Sequence, residues 1–351
     1  MKASVRKSET PGRRSAPRGN ERRLVTQYPR RRVLSLAAGA AALPAVSRMT
    51  WAQSYPSRPI TIVVPVSPGG SIDVIARNLA ERMRVILGQP VIVENVAGAG
   101  GAIGVGRVVR ARPDGYTIFV SSTGTVLNAA SLPYDVLNDF EPVALLSTGP
   151  HVLSARKTMP ANDLKGLIAW LRANPDKATG AGGVRGGTAY VASLFFQKET
   201  GTRFQYVPYR GGTPAIQDLV AGQIDLGFSD PTSALPLVRA GAIKAYGITT
   251  KVRLASAPDV PTLHESGLPG FDVSVWHGLW APKATPKNVI AKLNAAAIDA
   301  LAGPTVRARL ADLWQEIFPP DQQTPEAFGA FQKAEMEKWS PIIKEFGIKG
   351  E

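Results

Sequence analysis

Cysteine is absent from the 351 residues. Disulfides, thiol nucleophiles, iron–sulfur clusters and thiolate metal sites are therefore excluded. Histidine is scarce, and His151, His264 and His277 are scattered without metal-ligand spacing. Neither a G-x-x-x-x-G-K-[ST] loop nor a G-x-S-x-G elbow occurs, so P-loop phosphate binding and α/β-hydrolase chemistry lack a sequence basis. The run "GAGGAIG" (98–104) follows a strand-like segment but has no partner acid of the dinucleotide kind, because Asp114 falls in a turn. No apolar run beyond the N-terminal leader is long enough to cross a bilayer. Nothing calls for a cofactor or a metal.

Excess positive charge is present, but only at one end. The formal charge is +14, yet residues 1–52 hold 12 Lys and Arg against two acids, Glu9 and Glu21. Subtraction leaves 41 − 12 = 29 basic and 27 − 2 = 25 acidic residues, or +4 for the rest. A nucleic-acid partner would need a basic stripe on the folded part, and none is evident. The leader instead has the three parts of an export signal: a basic region ending in Arg30-Arg31-Arg32, the apolar "VLSLAAGAAALPAV", and small residues Thr50 and Ala52 before a cut. "RRRVLSL" fits a twin-arginine signal loosely and a general secretory signal equally well. The expected mature chain begins at Gln53.

From there strand-like and helical runs alternate, the pattern of an α/β fold. "PITIVVPV" (59–66) is a β-branched run suited to a strand buried on both faces. Apolar residues at helical spacing follow over 71–87. Strands are expected at 91–95, 116–122 and 141–147, with a helix at 100–111. The pattern then restarts, with helices at 163–173, 188–199, 214–221 and 232–239 between strands at 178–181, 204–209, 224–230 and 243–249. An aromatic strand at 273–282 precedes helices at 286–302, 304–313 and 325–345. Two α/β runs imply two lobes, joined by crossovers near 147 and 275. Residues 53–147 and 276–351 are assigned to the first lobe and 148–275 to the second.

Ligands of open α/β sheets sit beyond the carboxyl ends of the strands. Four strand-to-helix turns lie there: "SPGGS" (67–71), "SSTGT" (121–125), "GAGGVRGGTAY" (180–190) and "PYRGGTPA" (208–215). Thr213 is the expected N-cap of the last helix, with Pro214 at its first position. Glycine lets backbone N–H groups approach a ligand, and a helix N-terminus favours an anion. One such turn in each lobe suggests an anion clamp built from backbone rather than from Arg185 or Arg210. His277, among aromatics, reads as a packed core residue. Asp73 reads as dipole compensation in a first helical turn, and Asp230 as a helix cap or a contact to a ligand amine or hydroxyl.

Seven segments occur here in the order of one family: "YPSRPITIVVPVSPGGSIDVIAR", "GQPVIVENVAGAGGAIG", "RPDGYTIFVSSTGT", "DFEPVALL", "VPYRGGTPAIQDLVAGQIDLGF", "VPTLHESGLPGFDVSVWHGLWAP" and "WSPIIKEFGIKG". The chain resembles the extracytoplasmic solute receptors of the tripartite tricarboxylate transporters, the Bug receptors, over everything after the leader. The resemblance implies a type II periplasmic-binding-protein fold, two α/β lobes closing on a small organic acid. It implies a monomeric, non-catalytic receptor that serves membrane permease subunits and binds no nucleic acid. A signalling role for the same receptor, or an exported enzyme using the cleft, stays open at this point. Carried over, the first pincer falls on Ser67, Gly69, Gly70, Ser71 and Asp73, and the second on Gly186, Gly187, Thr188 and Tyr190. Ser122, Thr123, Tyr209, Arg210, Ser229 and Asp230 would line the remaining cleft. Ile72 and Tyr190 depart from the family's usual threonine and histidine, so no particular ligand carries over.

Overall fold

The computed structural model describes residues 55–124, 134–183, 186–209, 211–254 and 257–345. The leader, Arg185 and Arg210 lie outside the described residues.

Strand β1 (Ile60–Val64) buries Ile60, Ile62, Val63 and Val64 completely, as its continuous apolar run requires. Helix α1 (Ser71–Leu87) packs Ile75, Ala76, Leu79 and Met83 onto one face of it. Strand β2 (Val91–Asn95) pairs parallel with β1. A 3₁₀ turn at Ala99–Gly101 and helix α2 (Ala102–Val109) then return the chain to β3 (Thr117–Ser122), on the other side of β1. Strand β4 (Phe140–Gly149) ends this run.

Two residues later β5 (Val152–Arg156) opens a second sheet. It continues through α3 (Leu164–Ala173), β6 (Thr179–Ala181), α4 (Thr188–Thr200), β7 (Gln205–Tyr206), α5 (Gly212–Val220), β8 (Leu226–Ser229), α6 (Pro231–Arg239) and β9 (Ile243–Ile248). The chain returns as β10 (Val275–Pro282), then α7 (Lys287–Ala302), α8 (Pro304–Asp312), β11 (Glu316–Ile317) and α9 (Pro325–Glu345). The six-stranded sheet has the order β11-β4-β10-β3-β1-β2, and the five-stranded sheet β7-β6-β8-β5-β9. Each sheet has its own helices and core, which makes a two-lobed α/β protein.

One hydroxyl stitches the two crossovers together. Thr249 Oγ1 accepts from the His151 N–H at 2.9 Å and donates to the Val273 carbonyl at 2.8 Å. The Thr249 N–H reaches the His151 carbonyl, and its own carbonyl accepts from Val273, both at 3.0 Å.

Several elements differ from the sequence expectation. β5 escapes a hydropathy reading because Ser154 interrupts it; that serine is fully buried, its hydroxyl 3.4 Å from the Gly227 carbonyl. The expected strand 204–209 shortens to two residues. Helix α5 begins at Gly212 with Gly211 as N-cap, so Pro214 occupies the third position and Thr213 does not cap. The first turn makes no use of that missing N–H, so the proline is tolerated there. Helix α9 does not stay with the first lobe. Phe328 lies in the core beneath β10, whereas Trp339 and Ile343 belong to the core of the second sheet. Glu335 between them accepts from both Trp276 and Trp339 indole N–H groups at 3.1 Å.

Among the described residues no single helix is long and apolar enough to cross a bilayer. The apolar pair α7 and α8 bends by 72° and buries Leu293, Ala297 and Leu310 in the core.

Candidate functional site

The turn after β1 leaves Ser67, Pro68, Gly69 and Gly70 exposed. Gly70 is the N-cap of α1, with extended backbone and no side-chain cap. Gly69 has φ +90°, a conformation that favours glycine. Its N–H donates to Asp73 Oδ2 at 2.9 Å. Among the described residues no protein group accepts from the N–H of Gly70 or Ser71. These are first-turn donors, at the positive end of the helix dipole.

Asp73 holds this turn from within and does not face a ligand. It is 3 % exposed, and both oxygens are taken. Oδ2 accepts from Gly69 N–H and from Arg77 Nε at 3.0 Å. Oδ1 accepts from Asn95 Nδ2 at 2.9 Å and lies 3.0 Å from the Arg77 guanidinium. Burial pushes its pKa up, but the bonds from Arg77, Gly69 and Asn95 outweigh that and hold it below the ordinary range. Asn95, at the end of β2, also donates to the Val66 carbonyl at 3.2 Å. Neither Asn95 nor Arg77 stood out in the sequence; the signal available was the i,i+4 pair Asp73–Arg77.

The second turn joins β6 to α4. A Cβ on Gly182 would come within 2.6 Å of the Phe228 carbonyl oxygen, so only glycine fits beside β8. Gly187 is the N-cap of α4, extended and without a side-chain cap, and no described group accepts from its N–H. Gly186 before it has φ +79°. Thr188 is buried at the first helical position. Tyr190 packs edge-on to Tyr206 with ring centroids 4.7 Å apart, inside the second core.

The lobes approach each other at the end of β3. A Cβ on Gly124 would lie 3.8 Å from Gly187 Cα, 3.8 Å from Ser122 Oγ and 4.0 Å from Thr188 Oγ1. Gly124, marked in the sequence only as part of a hydroxyl-rich turn, thus brings Ser122 to the second turn. Thr123 is committed elsewhere: its buried hydroxyl accepts from the Trp276 N–H at 2.8 Å and fixes β10 to β3. The Tyr209 hydroxyl, expected in the cleft, donates to Asp218 Oδ2 at 2.5 Å, and that bond together with burial raises its pKa to about 12.

Ser229 is buried at the end of β8, and Asp230 is the N-cap of α6 by position. The Asp230 side chain makes no capping bond and is 42 % exposed, with Oδ1 3.8 Å from His151 Nδ1. His277 is fully buried on β10, its Nδ1 3.3 Å from Ser147 Oγ. Burial pushes its pKa down to about 4, against smaller upward effects of Gln315 and Ser147. His151 is likewise driven down by burial, with Asp230 opposing. No group of three or more candidate metal ligands occurs among the described residues.

The sign of the resulting pH dependence follows directly. A folded pKa below the unfolded value of about 6.5 means that the unfolded chain takes up the proton first. Stability from His277 is therefore complete above about pH 6.5 and is lost as pH falls towards about 4. Denaturant melts at pH 7.5 and pH 5 should differ by about 2 kcal/mol more in the natural chain than in His277→Phe. Equal differences in the two proteins would show that His277 is not held neutral.

Known proteins share this sequence pattern and this fold. The model of the tripartite tricarboxylate transporter family receptor matches residues 75–348. The solved periplasmic binding protein BugD is 37 % identical, with a TM-score of 0.75 over 84 % of this chain and 99 % of its own. MatC from Rhodopseudomonas palustris, solved with bound malate, is 38 % identical, with a TM-score of 0.76 over 82 % of this chain and 100 % of its own. A third structure, an R. palustris protein with adipate, is 29 % identical, with a TM-score of 0.76 over 84 % and 99 %. The chain belongs to the tripartite tricarboxylate transporter receptor family and is a solute-binding receptor with the periplasmic-binding-protein fold.

Proposed function

We propose that the protein captures a small organic carboxylate between the Gly70–Ser71 and Gly187–Thr188 turns, without catalysis, and delivers it to the membrane permease subunits of a tripartite tricarboxylate-type transporter. The observation that carries this reading is the pair of uncharged helix N-termini, one on each sheet. Both present uncommitted backbone N–H groups. Such groups serve an anion without a counter-cation. The malate and adipate bound to the two R. palustris relatives support an acid as the ligand class.

In this reading residues 1–52 are an export signal cut after Ala52, and the mature protein works in the periplasm as a monomer. Intact mass of the protein from its own host should give Gln53 as first residue; a chain retaining the leader would reject export. The first lobe takes residues 53–147 and 276–351, with the second half of α9 packing onto the core of the other sheet. The second takes 148–275.

Thermal melts against mono-, di- and tricarboxylates, each beside its amide, test the function. An acid at a hundred times its Kd should add about 2.7 kcal/mol of stability. A panel in which no acid raises the melting temperature, or in which acid and amide act alike, would overturn the carboxylate reading.

A further inference from the structure

Where the lobes join lies a buried polar cluster that neither turn uses. His151 sits in the first crossover; neither buried ring nitrogen makes a hydrogen bond of ordinary geometry with a described group, and the Ser229 backbone and Asp230 are the acceptors that face it. His277 Nε2 likewise makes none. The two crossovers that carry these residues are joined at Thr249, and a charge on His151 would lower the pKa of His277. Buried polar atoms are ordinarily satisfied within the fold, so three such nitrogens in two rings mark a place where the chain reserves hydrogen-bonding capacity.

The bonding pattern fixes what kind of capacity it is. The Ser147 hydroxyl donates to Gln315 Oε1 at 3.2 Å, which uses its only proton. His277 Nδ1 must then be the donor in its 3.3 Å contact with Ser147 Oγ. In a neutral ring that leaves Nε2 as a bare acceptor. His151 Nδ1 faces Asp230 Oδ1 at 3.8 Å, beyond hydrogen-bonding distance, and the Ser229 backbone also offers the ring an acceptor; a neutral ring holds one proton, so one of its two nitrogens is an acceptor. The Asp230 carboxylate adds acceptors only. Burial keeps both rings uncharged at neutral pH.

Position ties the cluster to the site. His277 is the register partner of Ser122, and Leu279 pairs with Val120 in the core beneath α1. Opposed residues of an antiparallel pair share a face, so His277 and Ser122 lie on the side of the sheet that α1 covers. Gly124, where the second turn comes closest, is two residues beyond Ser122, at most about 7 Å along the chain.

We propose that His151, His277 and Asp230 form an acceptor pocket that selects acids carrying a hydroxyl or ammonium group near the carboxylate held by the turns. The proposal rests on the carboxylate reading above and deepens it. A ligand without a donor would leave the acceptors unpaired, and a site built to bond a donor rejects an analogue lacking it.

Calorimetry with malate, aspartate and succinate tests this, since succinate differs from the other two only by the missing donor. Malate and aspartate should bind the natural chain at least about ten-fold tighter than succinate. In His277→Phe that preference should shrink to within about three-fold, through weaker binding of malate and not through tighter binding of succinate. Asp230→Asn, at a half-exposed position where folding is not at stake, should weaken aspartate about ten-fold and succinate little. Succinate binding as tightly as malate would overturn the pocket, as would a hydroxyl preference that survives both substitutions. If none of the three acids binds while another carboxylate of the panel does, the pocket falls and the carboxylate reading stands; if all three bind alike, again only the pocket falls.

Discussion

Gly70→Pro should weaken binding of the best acid about ten- to a hundred-fold while leaving the melting temperature of the free protein nearly unchanged. The range corresponds to one hydrogen bond to a charged acceptor, about 1.5–3 kcal/mol. The backbone at Gly70, φ −82° and ψ 171°, is close to what a proline ring imposes. A side chain there meets nothing within 4 Å, and the Val74 N–H still reaches the Gly70 carbonyl. The substitution therefore removes one N–H and little else. Gly70→Ala keeps that N–H and should bind like the natural chain. A folded Gly70→Pro with natural affinity would show that the first turn does not hold the acid through its backbone.

Asp73→Ala should act on both stability and binding. It removes the acceptor of two part-buried bonds, from the Gly69 N–H and the Asn95 amide, at about 1 kcal/mol each. The ion-pair share counts for less, because the Arg77 side chain is 52 % exposed. A loss of about 2–3 kcal/mol in denaturant melts is expected. Freed from its tether, Gly69 no longer aims the Gly70 and Ser71 N–H groups, and affinity should fall about ten-fold. The lowered folded pKa of Asp73 gives the same bond a pH signature. Its contribution is present above the unfolded value near 4 and is lost as pH falls through the folded value below it. An Asp73→Ala protein that binds acid normally would remove Asp73 from any role in shaping the site.

The alternation of strands and helices was legible because burial on both faces forces runs such as Ile60–Val64, and amphipathic burial forces the spacing in Ser71–Leu87. The two glycine turns were legible for a related reason: a chain that must turn sharply into a helix and expose its N–H groups has few residues to choose from. What the sequence could not display were commitments made across long separations. Thr123 and Tyr209 have the look of ligand-facing hydroxyls, yet one is spoken for by Trp276 and the other by Asp218. His151 and His277 stand far apart in the chain and share an environment only because two crossovers meet at Thr249. The destination of α9 was hidden likewise, since an amphipathic pattern reports that a helix is covered but not by which sheet.

Strand β10 carries a consequence for the order of assembly. All eight of its residues are buried, and it lies between β3 and β4. When synthesis has reached Ile248, every strand of the five-stranded sheet exists, whereas the other sheet still has a gap one strand wide. Filling it brings Trp276 to Thr123 across 153 residues. Closing so long a loop is slow compared with pairing nearby strands. In pulse-labelled refolding, amides of β5, β8 and β9 should gain protection before those of β3 and β4, and simultaneous protection would contradict this order. The half of the receptor that the ribosome makes first is completed last, and until then the two strand edges facing that gap are exposed to wrong pairing.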